Sequence, residues 1–172
     1  MHNEWDIRRQ MVEICKRIYD KGYAAATDGN VSHRLSGDRL LVTPSGSCLG
    51  ELQPNDLVCV STSGWSLGGR QKPTSELPLH VTVYENRADV NAVVHAHPPI
   101  ANAFSFAGQT LGACVIPEVV LGFGAIPTTE YATPASDEGP RVIRELIREF
   151  DVLLLQRHGF LRIPVIKISC YF

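Results

Sequence analysis

The chain has no excess of basic charge: 16 Lys and Arg stand against 18 Asp and Glu, for a formal net charge of −2. That balance leaves no electrostatic footprint for nucleic acid. No apolar run approaches membrane-spanning length, and the N-terminal MHNEWDIRRQ is charged where a secretion signal would be apolar. The five cysteines, at 15, 48, 59, 114 and 170, are odd in number and contain no CxxC pair. They therefore form neither a zinc ribbon nor a disulfide frame and read as reduced thiols of a cytoplasmic protein. Glycine-rich nucleotide motifs of the GxGxxG or Walker kind are missing, as are internal repeats, low-complexity tracts and long linkers. What is present is a 172-residue chain, 44% hydrophobic and 20% charged, with the size of one domain and enough apolar residues for a real core.

Ile7, Met11, Ile14, Cys15 and Ile18 recur at helical spacing, and Gly22 ends that first helix. RLLVT (39–43) and LVCVS (57–61) read as short strands between Gly-, Ser- and Pro-containing loops. A second helix is expected from Ser75 to about Arg87, capped by Thr74 or Ser75, with Pro78 tolerated in its first turn. A buried strand then ends at His97, and a short helix follows over PIANAFSFAG. GACVIPEVVLGFGAIPTTEYATP reads as two short strands broken by Gly and Pro. A helix over 137–150 places Val142, Ile143, Leu146, Ile147 and Phe150 on one stripe, and DVLLLQRHG forms the last strand. Short, unevenly spaced strands among helices imply a mixed, largely antiparallel sheet with helices on its faces.

Two histidines, His95 and His97, close the strand NAVVHAHPP. Positions i and i+2 of a strand face the same side, so the two imidazoles stand next to each other. They are either half of a metal site or two polar side chains that meet backbone partners at a strand end. His158 follows VLLLQR as His95 follows NAVV. If those strands are neighbours, three imidazoles converge, a set that suits a borderline-soft divalent ion. Glu76 in KPTSELPLH is the best carboxylate for the fourth side, although it also reads as a first-turn acid answering the helix dipole. His80, one turn on from Glu76, reads as a helix side chain bonding locally and not as a ligand. The loops TDGNVS, TPSG and PTSE supply hydroxyls, amides and backbone N–H groups, and PTSE opens onto a helix N-terminus, where a phosphate can be held without basic residues. Each loop alone reads first as an ordinary turn or cap.

DGNVSHRL, LLVTPSG, KPTSELPLHVTVYENRADVNAVVHAHPP and VLLLQRHG, in that order, resemble the zinc-dependent class II aldolase/adducin family, typified by L-fuculose-1-phosphate aldolase. The likeness runs from about residue 5 to 160. It implies an α/β/α fold around a mostly antiparallel sheet and a cyclic homotetramer with active sites between subunits. It implies a zinc ion, or another divalent metal, on His95, His97 and His158, with Glu76 as the adjacent acid/base. It implies that the phosphate of a small sugar phosphate is held at Asn30, Ser45, Gly46, Thr74 and Ser75. The activity implied is retro-aldol cleavage of a ketose phosphate to dihydroxyacetone phosphate and an aldehyde. The alternatives are a sugar-phosphate epimerase, a methylthioribulose-phosphate dehydratase, or a non-catalytic assembly module of the adducin type. The retained histidines speak against the module, and glutamate at 76 speaks against the epimerases.

Two departures from the family pattern stand out. The stretch GACVIPEVVLGFGAIP holds no tyrosine, the residue that family aldolases take from a neighbouring subunit to protonate the leaving aldehyde; the resemblance puts Glu118 roughly where such a group comes from in other branches, as a second catalytic candidate beside Glu76. Tyr131 belongs to a family-typical turn. Only 14 residues follow His158, so a C-terminus truncated or divergent after about residue 160 is expected, with GFLRIPVIKISCYF in place of the family's closing helices.

Overall fold

A computed structural model describes residues 3–68, 71–111 and 117–164. Helix α1 (Glu4–Asp20) is followed by strands β1 (Asn30–Arg34), β2 (Arg39–Val42) and β3 (Val58–Ser61), then α2 (Leu77–Asn86) and β4 (Ala92–Ala96). Helices α3 (Pro99–Phe106), α4 (Pro117–Phe123) and α5 (Glu138–Ile143) lead to β5 (Val152–Leu155) and β6 (Gly159–Arg162). The strands form one six-stranded sheet in the order β3-β2-β1-β4-β6-β5, and every pairing between neighbours is antiparallel. The expected layered α/β/α arrangement is thus present.

Side-chain alternation along the strands builds two cores, one on each face of the sheet. On one face Val31, Leu41, Val94 and Ala96 pack under Met11, Ile14 and Ile18 of α1. On the other, Leu40, Val42, Val93, Leu153 and Leu161 meet Leu79 and Val83 of α2 together with Ile143 and Ile147. Strand β4 lies at the centre of the sheet and is buried along its whole length. Among the described residues no helix is long and apolar enough to cross a membrane.

Several boundaries differ from the sequence reading. TDGNVS is not wholly loop: β1 begins at Asn30, because Asn-Val-Ser pairs with the end of β4. Helix α2 starts at Leu77, with Glu76 at its N-cap and no side-chain cap bond; Thr74 instead accepts the Glu76 N–H at 3.3 Å in the turn before it. PEVVLGF is a helix rather than a strand, since Pro117 and Glu118 are favourable first-turn residues that outweigh two valines. Residues 112–116 of that segment lie outside the described residues. The helix expected over 137–150 stops at Ile143 and resumes as a 3-10 turn at Leu146–Arg148, where Arg148 N bonds Glu145 O and Glu149 N bonds Leu146 O. Its apolar stripe still reaches the core, because the chain stays right-handed across the break. A strand also follows His158: β6 inserts between β4 and β5, so the two apolar strands are not neighbours. The expected divergence of the tail falls largely on residues 165–172, outside the described residues.

Candidate metal centre

His95 is the penultimate residue of β4, opposite Leu161 of β6 and Asn30 of β1. The ladder stops one residue later, because Pro98 and Pro99 have no N–H to contribute. His97 is anchored just beyond the strand by its own N–H, which donates to Tyr23 O at 2.6 Å. His158 reaches the same place by a different route, from the tight turn between β5 and β6. That turn needs Arg157 at a φ of 55°, and α3 holds it: Arg157 N donates to Ser105 Oγ at 2.7 Å and Asn102 Nδ2 to His158 O at 3.2 Å. The hairpin carries His158 past the inserted strand to the sheet rim.

The three rings converge, with centroids 4.7 to 5.3 Å apart, and one nitrogen from each lies within 4.8 Å of the others. His95 Nδ1 donates to Phe160 O at 3.1 Å, which leaves Nε2 as a bare lone pair. His97 Nδ1 lies 3.6 Å from Asp28 Oδ2, beyond hydrogen-bond length. The two Nε2 atoms stand 2.9 Å apart. A proton on His97 Nε2 closes that contact, and a cation that takes both lone pairs would replace it; three converging imidazoles are a donor set that fits a divalent cation. Burial holds the His95 imidazole well below its usual range, helped by His158 and His97; burial also lowers His158, against the pull of Glu76. Both effects favour the neutral, ligating form.

Glu76 closes the remaining side. Its side chain is not spent on capping its own helix: Oε2 lies 3.1 Å from His95 Nε2 and Oε1 lies 3.3 Å from His158 Nε2. A cleft of about 310 Å³ opens beside it, lined by Asn30, Ser45, Gly46, Thr74 and Ser75 as well as Glu76, His97 and His158. Every residue expected to hold phosphate is therefore at this cleft. Among the described residues no lysine or arginine lines it, and Asp28 does. The Asn30 amide is already engaged, donating to Glu76 Oε2 at 2.8 Å and accepting from His80 Nε2 at 2.5 Å. Glu118 is exposed in the first turn of α4 and is not among the described residues lining the cleft.

His80 corrects the sequence reading in one respect. It is absent from the histidine cluster, as expected, but its bonds are not local: its partners, Asn30 and Ser32, are 50 and 48 residues away. The sequence reading does not single out Tyr84, and it takes in Asp28 and Ser32 only as members of the loop TDGNVS. The available signal was Glu76, His80 and Tyr84 at i, i+4 and i+8, which fall on one face of a helix.

A six-stranded antiparallel sheet with three histidines and a glutamate gathered at its rim is a scaffold with a candidate metal site. Residues 9–163 match the family described as Class II Aldolase and Adducin N-terminal domain, and the chain belongs to that family. It is 34% identical over 160 residues to the 3-oxo-tetronate 4-phosphate decarboxylase of Escherichia coli strain K12, covering 91% of this chain and 75% of that one. It is 35% identical over 164 residues to the L-fuculose phosphate aldolase of Methanococcus vannielii, covering 95% and 87%. The crystal structure of YgbL from Klebsiella pneumoniae, a candidate aldolase/epimerase/decarboxylase, superposes with a TM-score of 0.88 at 32% identity over 96% of this chain and 81% of that one.

Proposed function

We propose that the chain is a zinc-dependent lyase that cleaves a small ketose phosphate by a retro-aldol reaction, giving dihydroxyacetone phosphate and an aldehyde. The observation that carries this reading is the Glu76 carboxylate set against the ligand side of both His95 and His158, at 3.1 and 3.3 Å. In a ketose 1-phosphate the bond between C3 and C4 breaks and the C4 hydroxyl proton leaves to a base. The bonding pair stays on the phosphate-bearing fragment as an enediolate. A divalent cation on His95, His97 and His158 supplies Lewis-acid stabilisation of that charge. Glu76 delivers a proton to C3 and completes dihydroxyacetone phosphate. Ser45, Gly46, Thr74 and Ser75 hold the phosphate with neutral donors at the start of α2, a role that matches a cleft with no lysine or arginine among its described lining. Thr74 keeps a hydroxyl proton to donate, since its oxygen is the acceptor in its bond to Glu76 N.

One observation favours a second reading. The segment that supplies the family's proton-transferring tyrosine has none here. Loss of carbon dioxide from a 3-oxo acid phosphate needs no such group, because the carboxylate leaves without surrendering a proton. A 3-oxo-tetronate 4-phosphate that breaks its C1–C2 bond leaves the same enediolate, and Glu76 protonates it at C2 to give the same dihydroxyacetone phosphate. The metal-loaded protein should be incubated with ketose 1-phosphates and, separately, with 3-oxo-tetronate 4-phosphate, while dihydroxyacetone phosphate and carbon dioxide are measured. Product from a ketose phosphate supports the aldolase reading. Product with equimolar carbon dioxide, from the acid alone, replaces it with the decarboxylase. No product from either overturns the lyase.

A further inference from the structure

Behind Glu76 runs a buried polar chain that neither reaction uses. Helix α2 and the residue that caps it present Glu76, His80 and Tyr84 one turn apart; β1 presents Asn30 and Ser32 on the face opposite to Val31. Two residues of strand span about 6.6 Å and four residues of helix about 6 Å, so the two rows interleave like rungs. The rungs are Tyr84 Oη to Ser32 Oγ at 2.8 Å, Ser32 Oγ to His80 Nδ1 at 2.7 Å, His80 Nε2 to Asn30 Oδ1 at 2.5 Å and Asn30 Nδ2 to Glu76 Oε2 at 2.8 Å. Ser32 and His80 are fully buried, and Tyr84 and Asn30 nearly so.

Chemistry fixes the direction of every bond. The Asn30 carbonyl only accepts, so His80 carries its proton on Nε2. Burial pushes the His80 imidazole down to about 3, against the pull of Glu76, so the ring is neutral and Nδ1 can only accept. Ser32 therefore donates to His80, and Tyr84 donates to Ser32. An asparagine amide is nearly symmetric in shape, and an isolated one can turn over once its carboxylate partner takes a proton. Here a turned amide would point N–H at the N–H of His80.

We propose that His80, Ser32 and Tyr84 are positioning residues that lock the Asn30 amide with its NH2 toward Glu76, so that Oε2 stays an acceptor and Oε1 is the oxygen that takes and gives the proton. The proposal rests on Glu76 as the acid/base. Its benefit is that Glu76 returns to one rotamer after each protonation, with its working oxygen on the His158 side.

The test uses the full chain, metal-loaded for rates and metal-free for spectra. His80→Leu removes the lock, His80→Gln keeps a donor toward Asn30, and Tyr84→Phe and Ser32→Ala break the chain further back with little change of shape. Hydrogen exchange of dihydroxyacetone phosphate with heavy water should fall roughly 10- to 100-fold in His80→Leu, with KM within about twofold and metal content unchanged, the pattern of a misplaced group. His80→Gln should recover most of the rate, and Ser32→Ala should lose more than Tyr84→Phe. In the metal-free protein the Asn30 side-chain amide, labelled with 15N, should show a slowly exchanging, downfield proton that is lost in His80→Leu and regained in His80→Gln. A folded His80→Leu with unaltered amide signals and exchange rate overturns the proposal. If His80→Leu does not fold, an unaltered amide in Ser32→Ala and Tyr84→Phe does so. Absence of exchange in the native protein counts against Glu76 as the acid/base, while the amide signals still report on the lock.

Discussion

A Cβ added to Gly159 would lie 2.7 Å from His95 Cε1, 2.8 Å from His97 Cδ2 and 2.8 Å from Ala96 O. None of these atoms can withdraw cheaply: one is backbone and two belong to rings whose nitrogens must converge. Gly159→Ala should therefore splay the histidine pair, costing about 1–3 kcal/mol of stability as an overpacked site does and weakening metal affinity more than tenfold. A thermal melt and a competitive metal titration read the two effects, and native affinity in this variant would show that the rings have room to move. His80 gives a prediction in pH. Its imidazole is held at about 3 in the folded chain against an ordinary value of 6.5. Between those values the unfolded chain binds a proton that the folded one refuses, so stability falls as pH drops from 6.5 toward 3 and is unaffected above that window. The slope from this residue is about 1.4 kcal/mol per pH unit. Urea unfolding at pH 6.5, 5.5 and 4.5 should show the native dependence flattened by that amount in His80→Gln; equal slopes would mean that His80 titrates freely.

Elements that bury a periodic face were legible, and those decided by pairing were not. Met11, Ile14 and Ile18 announce α1 because one helix stripe packs on one sheet face. NAVVHA announces β4 because a central strand is covered on both sides and reads as continuously apolar. Gly159–Arg162 was illegible for the opposite reason: GFLR has one core leucine, and only its insertion between β4 and β5 makes it a strand. The histidine triad could still be named, because each histidine ends an apolar run at the same rim of the sheet. The polar chain behind it could not, since it exists only once β1 and α2 lie side by side. The seam between α2 and the approach to β5 shows the same dependence on tertiary structure. Arg87 donates to Asp89 at 2.7 and 2.8 Å, to Asp151 at 2.9 Å and to Ile147 O at 2.9 Å, joining segments some 60 residues apart. Arg87→Leu leaves that carbonyl and two carboxylates without their partner. The expected cost is about 1–3 kcal/mol in urea unfolding, from hydrogen bonds to a charged group. A change below a few tenths would reduce Arg87 to an ordinary surface ion pair.

At the scale of the whole molecule, all three histidines and Glu76 come from one chain, whereas Glu118 stands exposed on α4 and apart from the described lining of that chain's cleft. Nearby in sequence, α3 exposes Ile100 and Phe104 one turn apart, 77% and 43% accessible, and α4 exposes Leu121 at 89%. Apolar side chains of that size suit an interface between copies, and a closed ring of four would bring each copy's α4 to a neighbour. Sedimentation should then give a mass near four times the 18.9 kDa chain. Ile100→Glu with Phe104→Glu should lower it without loss of bound metal, because all three histidines belong to one chain. Mixing subunits tests the shared site directly. Glu76→Gln and Glu118→Gln chains should each be inactive in retro-aldol cleavage. Unfolded together and reassembled in equal amounts, they should regain about a quarter of native activity, since random pairing across a head-to-tail interface gives about one site in four both intact groups. No recovery from two inactive parents would place Glu118 on the same chain's site or outside catalysis. A fully active Glu118→Gln parent would remove Glu118 from the reaction and, together with the missing tyrosine, move the assignment toward decarboxylation, where the leaving fragment needs no proton transfer.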